Sequence, residues 1–523
     1  MNNNSRTYNT IVNFIANVLY QIFILIMTFL SRRVFIKSLG VDYLGIGGLF
    51  SNLLQILALA ELGVGSAISF CMYKEIAVGN KKKLKELNTY FKKIYNRIAM
   101  IVLTLGLAFL PFLKYIINVE NEIENVEIYY LIFLLNTVFS YFFAYKTTIV
   151  SVDQNGYKLK KVDVCTNIIS YLLQIFVLLY WKNYLIYLVV QVLSTLLSNY
   201  IKSKMAEKWY PFIKDEGELE ESEKNEVWKN IKSMIFYKFG GVILNGTDNI
   251  LTSIMVSTTM VGVYSNYTMI YNKIMSFIDL IYSSIQPSLG NLNVSSDTEK
   301  KYKTYKMINF ISYWLITIAT VGIFYIAEDV VIAMSGSTNY ILDKCILLIG
   351  TINFYVKGNM TTNTTYRETT GIFRITKYSM LVCCILNLVL SVILGTNYGL
   401  FGILLATVIA RLCTNFWYEP FLLYRKIFCH SPIIYFKEYF FRLFVCILIM
   451  VTLSPIISLI TVNSLYIRII IKTFICFIFT NIILFVVFIK KEETSFIINK
   501  IKEIWINLVS LIARKLTINT KKD

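Results

Sequence analysis

A single histidine, His430, stands among 523 residues, so no cluster of imidazoles can bind a metal or relay protons. Charge is also scarce: Asp, Glu, Lys and Arg make up 16% of the chain, against about 25% in soluble domains. A GxxxxGK[ST] phosphate loop is missing, which removes the expectation of ATP hydrolysis. The nine cysteines are scattered, mostly inside apolar runs, and Cys383 and Cys384 are adjacent. That spacing suits neither a disulfide framework nor a zinc site. No metal and no other cofactor is expected. The first apolar run lacks a small-residue cleavage site, so it is expected to stay as a helix rather than leave as a signal peptide.

What the chain does hold is apolar: 56% of it is hydrophobic. Runs of about 20 residues recur from end to end, each able to cross a hydrocarbon layer of roughly 30 Å. Barrel strands are about 10 residues long and alternate in polarity, which this pattern does not. The fold class is therefore an all-α polytopic membrane protein with about 14 transmembrane helices, from 11–31 to 467–490. Very short links join runs 5 and 6, 7 and 8, and 11 and 12, and predict antiparallel hairpins. With the N-terminus in the cytoplasm, the inner loops hold about 30 Lys and Arg, including KKKLKELNTYFKK at 81–93, and the outer loops about six. The outer loops are acidic instead, at Glu120, Glu122, Glu124, Glu127, Glu328 and Asp329. This positive-inside asymmetry places both termini in the cytoplasm. Arg32, Arg33 and Lys37, in SRRVFIKSLG at 31–40, are the exception on the outer side. The formal net charge of +19 is expected to meet anionic membrane lipids, not nucleic acid. Residues 75–96 and 496–516 interleave Lys with apolar positions and suit helices lying on that surface.

The two halves echo one another in order. GIGGLFSN at 45–52 resembles GVYSNY at 262–267, and NGYK at 155–158 resembles TGIF at 370–373. KNY at 182–184 resembles TNY at 396–398, and STLLSNY at 194–200 resembles ARLCTNF at 410–416. A shift of about 215 residues, or six spans, preserves orientation and predicts two parallel-related bundles that flank a central path. The expected division is a lobe over 1–203, a cytoplasmic linker over 204–232, a second lobe over 233–425, two further spans over 426–490, and a basic amphipathic tail over 491–523. The linker is charged along its length and reads as a solvated connection.

Six cations fall within the spans: Lys114, Lys238, Lys273, Lys357, Arg411 and Lys472. The first two and the last lie near helix ends and can snorkel. Lys273, Lys357 and Arg411 each sit about 20 Å along their helices at 1.5 Å per residue. A charge held there costs at least 2.5–3.5 kcal/mol, so each should face the interior or water, with a partner. Pairing with Glu61, Asp248, Asp279 or Glu419 would satisfy them one by one. A surplus of cations in a wet cavity would instead suit an anionic, phosphate-bearing substrate, which Arg grips in a planar fork and Lys as a point charge. Arg32, Arg33 and Lys37 then read as the rim of that cavity, with at most one of Arg32 and Arg33 pointing inward because neighbours on a helix diverge by about 100°. Glu61, in ALAELGVGSA, and Asp248, in LNGTDNIL, are candidates to carry a coupling ion.

SRRVFIKSLGVDYLGIGGLFSN, LALAELGVGSAISFCMYKEIA, VGVYSNYTMIYNKI and IQPSLGNL resemble the bacterial Wzx-type polysaccharide and O-antigen flippases of the multidrug/oligosaccharidyl-lipid/polysaccharide (MOP) exporter superfamily. The resemblance implies two six-helix lobes that rock around a central cavity, with two extra C-terminal helices. It implies a non-enzymatic flippase in the bacterial cytoplasmic membrane. Its substrate would be an undecaprenyl-pyrophosphate-linked oligosaccharide for surface polysaccharide such as O-antigen or capsule. The family's cationic cavity would correspond to Arg32, Arg33, Lys273, Lys357 and Arg411. A polysaccharide polymerase and a chain-length regulator are the implied partners of a monomer. A flippase for a peptidoglycan or teichoic-acid precursor, or a MATE-like small-molecule antiporter, is the alternative on the same fold.

Overall fold

The structure, a computed structural model, describes residues 3–61, 64–119, 123–153, 155–295, 297–370, 372–496 and 499. The expected acids Glu120 and Glu122 and nearly all of the amphipathic tail lie outside them. Among the described residues every regular element is helical. Eight helices among the described residues are long and apolar enough to cross a membrane by length and composition alone. The chain divides into two compact units: Met1–Lys273 with Val330–Ile349 and Phe373–Asn415, and Ile274–Asp329 with Gly350–Ile372 and Phe416–Asp523.

The first unit opens with α1 (Asn3–Leu39), α2 (Asp42–Leu57) and α3 (Val64–Val78). Residues 44–72 read as one uninterrupted span, yet the helix tightens into a 3₁₀ turn at Ala58–Glu61 and α3 starts afresh. The composition stays apolar through this break, so hydropathy cannot register it. Next come α4 (Lys81–Phe109), the short α5 (Leu113–Ile116), α6 (Val126–Val152), α7 (Gly156–Tyr180) and α8 (Tyr184–Trp209). Asn80 caps α4 by accepting from the Lys83 amide at 3.1 Å. Leu84, Leu87, Phe91, Ile94, Ile98 and Val102 repeat at helical spacing, are buried, and pack toward α6. Beyond Arg97 the outer face of α4 turns apolar, with Met100, Ile101 and Leu105 exposed, as befits a lipid-facing surface.

The segment between α8 and α9 (Glu221–Met255) is docked rather than merely solvated. A 3₁₀ turn at Pro211–Lys214 follows Trp209, and the chain then lies along α4. Lys92 pairs with Glu216 at 2.9 Å, and Lys83 reaches both Glu86, at 3.2 Å, and Glu223. The Gly217 amide donates to Thr89 at 3.1 Å. A side chain at Gly217 would press on the Glu86 backbone. The density of charge that marked this stretch as a solvated linker is what fastens it to the lysines of α4.

Two residues separate α9 from α10 (Thr258–Ser295), the expected hairpin. The third hairpin is α13 (Phe373–Cys413), which reverses at Gly399 through a left-handed φ of 56° that glycine adopts without strain. Its arms meet where Asn387 donates to Thr407 at 2.9 Å, and they pack along α9. In the second unit, α11 (Thr298–Ser335) and α12 (Lys344–Thr370) precede α14 (Asn415–Leu422), α15 (Pro432–Ser458) and α16 (Leu465–Phe488). Phe310, Tyr313 and Val321 of α11 share a core with Ile449 and Leu453 of α15 and Leu484 and Phe488 of α16. Buried charges there are paired: Arg367 with Glu419, and Arg442 with Glu438 at 3.0 Å while stacked over Phe310 and Tyr313. Asp329 takes both Arg468 at 2.8 Å and Lys472 at 2.6 Å, so Lys472 is neutralised by an acid read as belonging to an outer loop.

Candidate functional site

The two glycines that head the repeated motifs meet each other. A β-carbon on Gly45 would stand 2.0 Å from the Thr258 carbonyl oxygen, and one on Gly262 would stand 2.2 Å from the Val41 carbonyl oxygen. Gly45 corresponds to Gly262 and Val41 to Thr258 at the same shift, so the two contacts are reciprocal. Residue i touching j while j touches i is the mark of a two-fold interface. The crossing of α2 and α10 therefore lies on the pseudo-two-fold axis of the repeat, and small residues let the two backbones approach this closely. Thr259 reinforces the crossing by donating to Asp42 at 2.6 Å.

Arg32 is fastened to this crossing. Its Nε donates to Asn266 Oδ1 at 2.9 Å, and a second nitrogen donates to the Ser265 hydroxyl, which in turn donates to the Gly262 carbonyl at 2.6 Å. Both partners are neutral. Tyr187 stands beside the guanidinium. Behind it Phe35, Tyr43, Tyr129, Tyr184 and Tyr187 form a continuous aromatic cluster, with ring centroids 4.8–6.2 Å apart. Arg33 and Lys37, one turn apart on α1, are exposed while Arg32 turns to α10.

Lys273 lies seven residues beyond Asn266 on α10. Seven residues are nearly two full turns, so both occupy one face of the helix about 10 Å apart along it. Lys273 is partly buried. Neither it nor Arg32 has a carboxylate within ion-pair distance among the described residues. Asn266, which holds Arg32, and Lys273 thus stand on one face of α10 in the first unit.

The other two stand elsewhere. Arg411, buried in the first unit, stands close enough to Asp248 for direct charge interaction, with Tyr264 and Cys383 around it. Thr407 donates to both carboxylate oxygens of Asp248, at 3.2 and 3.1 Å. Tyr264 is about 200° round α10 from Asn266, so Arg411 is served by a different face from Arg32. Lys357 belongs to the second unit, is exposed, and interacts with Asp279. Glu61 sits beside Tyr95 and Tyr141. Lys114 is exposed and lies 5.1 Å from the Tyr115 ring, while the side chain of Lys238, on α9, is outside the described part. Sequence reasoning did not mark Ser265, Asn266 or Tyr187 as site residues. The first two stand in a motif used only for its repeat, and nothing near Tyr187 distinguishes it from the other 36 tyrosines.

No protein-family model and no curated protein matches the chain. Solved structures do. The lipid II flippase MurJ in an inward closed conformation superposes with a TM-score of 0.65 at 15% identity, over 91% of this chain and 99% of that one. The chain shares this fold. An inward-facing MATE multidrug-resistance transporter of the MOP superfamily matches with a TM-score of 0.58 at 15% identity, over 74% of this chain and 91% of its own. A mutant of the Vibrio cholerae MATE transporter VcmN matches with a TM-score of 0.54 at 13% identity, over 78% and 94%. The chain thus shares the fold of these structures, and among its described residues eight helices are long and apolar enough to cross a membrane.

Proposed function

We propose that the protein is a flippase that turns undecaprenyl-pyrophosphate-linked oligosaccharide units across the bacterial cytoplasmic membrane for surface polysaccharide assembly. The observation that carries this reading is Arg32, held by neutral groups at the pseudo-two-fold crossing with Lys273 on the same helix face. A cation set among neutral donors and acceptors keeps its charge for an anionic ligand, and a pyrophosphate is the ligand that a guanidinium fork and a nearby ammonium suit best. The repeat interface is where transporters of this architecture hold substrate. Of the aromatic cluster beside Arg32, Tyr43 and Tyr187 are the partly exposed rings and would meet sugar, while Phe35, Tyr129 and Tyr184 are buried behind them. A pyrophosphate–sugar head loses its hydration in hydrocarbon, and these polar groups would replace that water while the polyprenyl tail stays in lipid.

On this reading, lobes 1–203 and 233–425 alternate access about the central axis, with 426–490 as accessory helices and both termini in the cytoplasm. Arg33 and Lys37 are further candidates for substrate contact beside Arg32, Arg411 stands against Asp248 and Lys357 against Asp279, and Glu61 and Asp248 are the candidates for ion coupling. The chain works as a monomer without cofactor and performs no covalent chemistry, and it hands its product to a polymerase and a chain-length regulator. A second reading, a flippase for a peptidoglycan or teichoic-acid precursor, is supported by the lipid II flippase likeness, which covers 91% of this chain where the MATE likeness reaches 74–78%.

The test is genetic. In the native strain, Arg32→Gln or Lys273→Gln should abolish surface polysaccharide while membrane levels of the protein stay unchanged. Normal polysaccharide in both variants defeats the proposal. Lysis on depletion of the protein, with polysaccharide intact, moves the assignment to the cell-wall precursor.

A further inference from the structure

A cleft of about 650 Å³ opens in the first unit between α4, the docked segment and the start of α9, far along the sequence from the Arg32 site. Lys93, Arg97 and Lys224 line one part of it and Ile94, Ile98 and Ile101 another, with Trp228 at its edge. The position along α4 is informative. Charged residues crowd the helix from Lys81 to Arg97, and none follows from Ile98 to Phe109. The cleft straddles that change, from the charged to the apolar part of α4. Trp228, 43% exposed, occupies the level that tryptophan favours at a membrane surface.

The charges within the cleft are not equivalent. Lys224 pairs with both Glu221 at 2.7 Å and Glu218 at 3.8 Å, so the lining carries three cations against two acids and a net positive charge of one. Lys93 and Arg97 are exposed, one helical turn apart on the same face, and neither has an ion pair among the described residues. Ile101 continues that face, 48% exposed, toward the hydrocarbon. Lys93 and Arg97 thus stand at the polar end of a face that Ile101 continues, with Glu216 near enough to Lys93 for charge interaction.

We propose that this cleft is a binding site for one anionic phospholipid of the leaflet that this end of α4 faces. The phosphate bridges Lys93 and Arg97, and an acyl chain runs down Ile94, Ile98 and Ile101. The volume lies within the range of about 300–1,000 Å³ typical of small-molecule sites. The docked segment forms the opposite wall, so the bound lipid also braces the connection between the two repeats.

The experiment uses the full-length protein in nanodiscs of mixed phosphatidylglycerol and phosphatidylcholine, released into the gas phase and weighed with its retained lipid. Wild-type protein should keep one phosphatidylglycerol in preference to phosphatidylcholine by about ten- to thirty-fold, the size expected of two cations near a membrane surface. Lys93→Ala with Arg97→Ala should erase the preference. Lys160→Ala with Lys161→Ala, which removes equal charge from another exposed surface, should leave it intact. Millimolar inorganic phosphate should not displace the lipid. Equal retention of the two lipids by wild type, an unchanged preference in the Lys93/Arg97 variant, or displacement by phosphate alone each overturns the proposal.

Discussion

Gly45→Ala is the sharpest perturbation that the fold offers. Its new β-carbon would stand 2.0 Å from the Thr258 carbonyl oxygen and 2.9 Å from the carbon behind it, both backbone atoms that no rotamer change can move. Ordinary contact begins at 3.4 Å, so α2 and α10 must part locally by about 1.4 Å. Overpacking of this kind costs about 1–3 kcal/mol, and rigid backbone on both sides puts it at the upper end. The parting also strains the Asp42–Thr259 hydrogen bond, worth about 1.5 kcal/mol as a bond to a charged group. Together they predict a loss of about 3–4 kcal/mol and a fall of roughly 5 °C in the melting midpoint in detergent. Because the contact is reciprocal, Gly262→Ala should cost as much. The double variant should cost little more than either single, since both insert a methyl into one gap. Gly290→Ala on the same helix, with nothing within 4 Å of its β-carbon, is the control and should melt as wild type. Fluorescence-detected size exclusion after a heating series measures all four. A wild-type midpoint for Gly45→Ala, or strictly additive losses in the double variant, would refute the two-fold crossing.

Charge changes should separate structural from substrate-binding cations. Arg411→Gln strands Asp248 and should cost about 3–5 kcal/mol, most of it recovered when Asp248→Asn is added; a double variant as unstable as the single would deny the pair. Arg32→Gln leaves only neutral partners behind, the buried Asn266 among them, and should cost about 1–3 kcal/mol, less than Arg411→Gln, while transport is lost, which thermal and flipping assays on one preparation can compare. Cys345 and Cys429 are both exposed, and the charge asymmetry puts the first outside and the second inside. An impermeant maleimide on intact cells should label the variant retaining only Cys345 and spare the one retaining only Cys429, and the reverse pattern would invert the orientation.

Much of the architecture was legible because the bilayer imposes it. Length and hydropathy revealed the helical class, and the short links at 181–183, 256–257 and 396–398 left no room for anything but hairpins. The repeat was legible because glycine is required twice at one crossing, at Gly45 and Gly262. What escaped was tertiary. Hydropathy averaged over the break at Ala58–Glu61, since a 3₁₀ turn changes hydrogen bonding and not composition. The docked segment was misjudged because charge density alone does not say whether partners exist across space, and those of Glu216 and Glu223 are Lys92 and Lys83, over a hundred residues away. Depth along a helix set Lys273, Lys357 and Arg411 at one level. It could not say which face each occupies, nor that Asp248 would stand beside Arg411 and Asp279 near Lys357. For Arg32 the reverse held: its divergence from Arg33 followed from helix geometry, while its partners Ser265 and Asn266 did not.

Reconstitution tests the central claim most directly. Purified protein in liposomes containing an undecaprenyl-pyrophosphate oligosaccharide should expose the sugar of the inner leaflet to an added impermeant glycosidase within minutes. The exposure should fail with Arg32→Gln or Lys273→Gln. Sugar that stays protected with wild-type protein, or exposure that proceeds equally in both variants, would contradict a cationic path across the membrane built on α10.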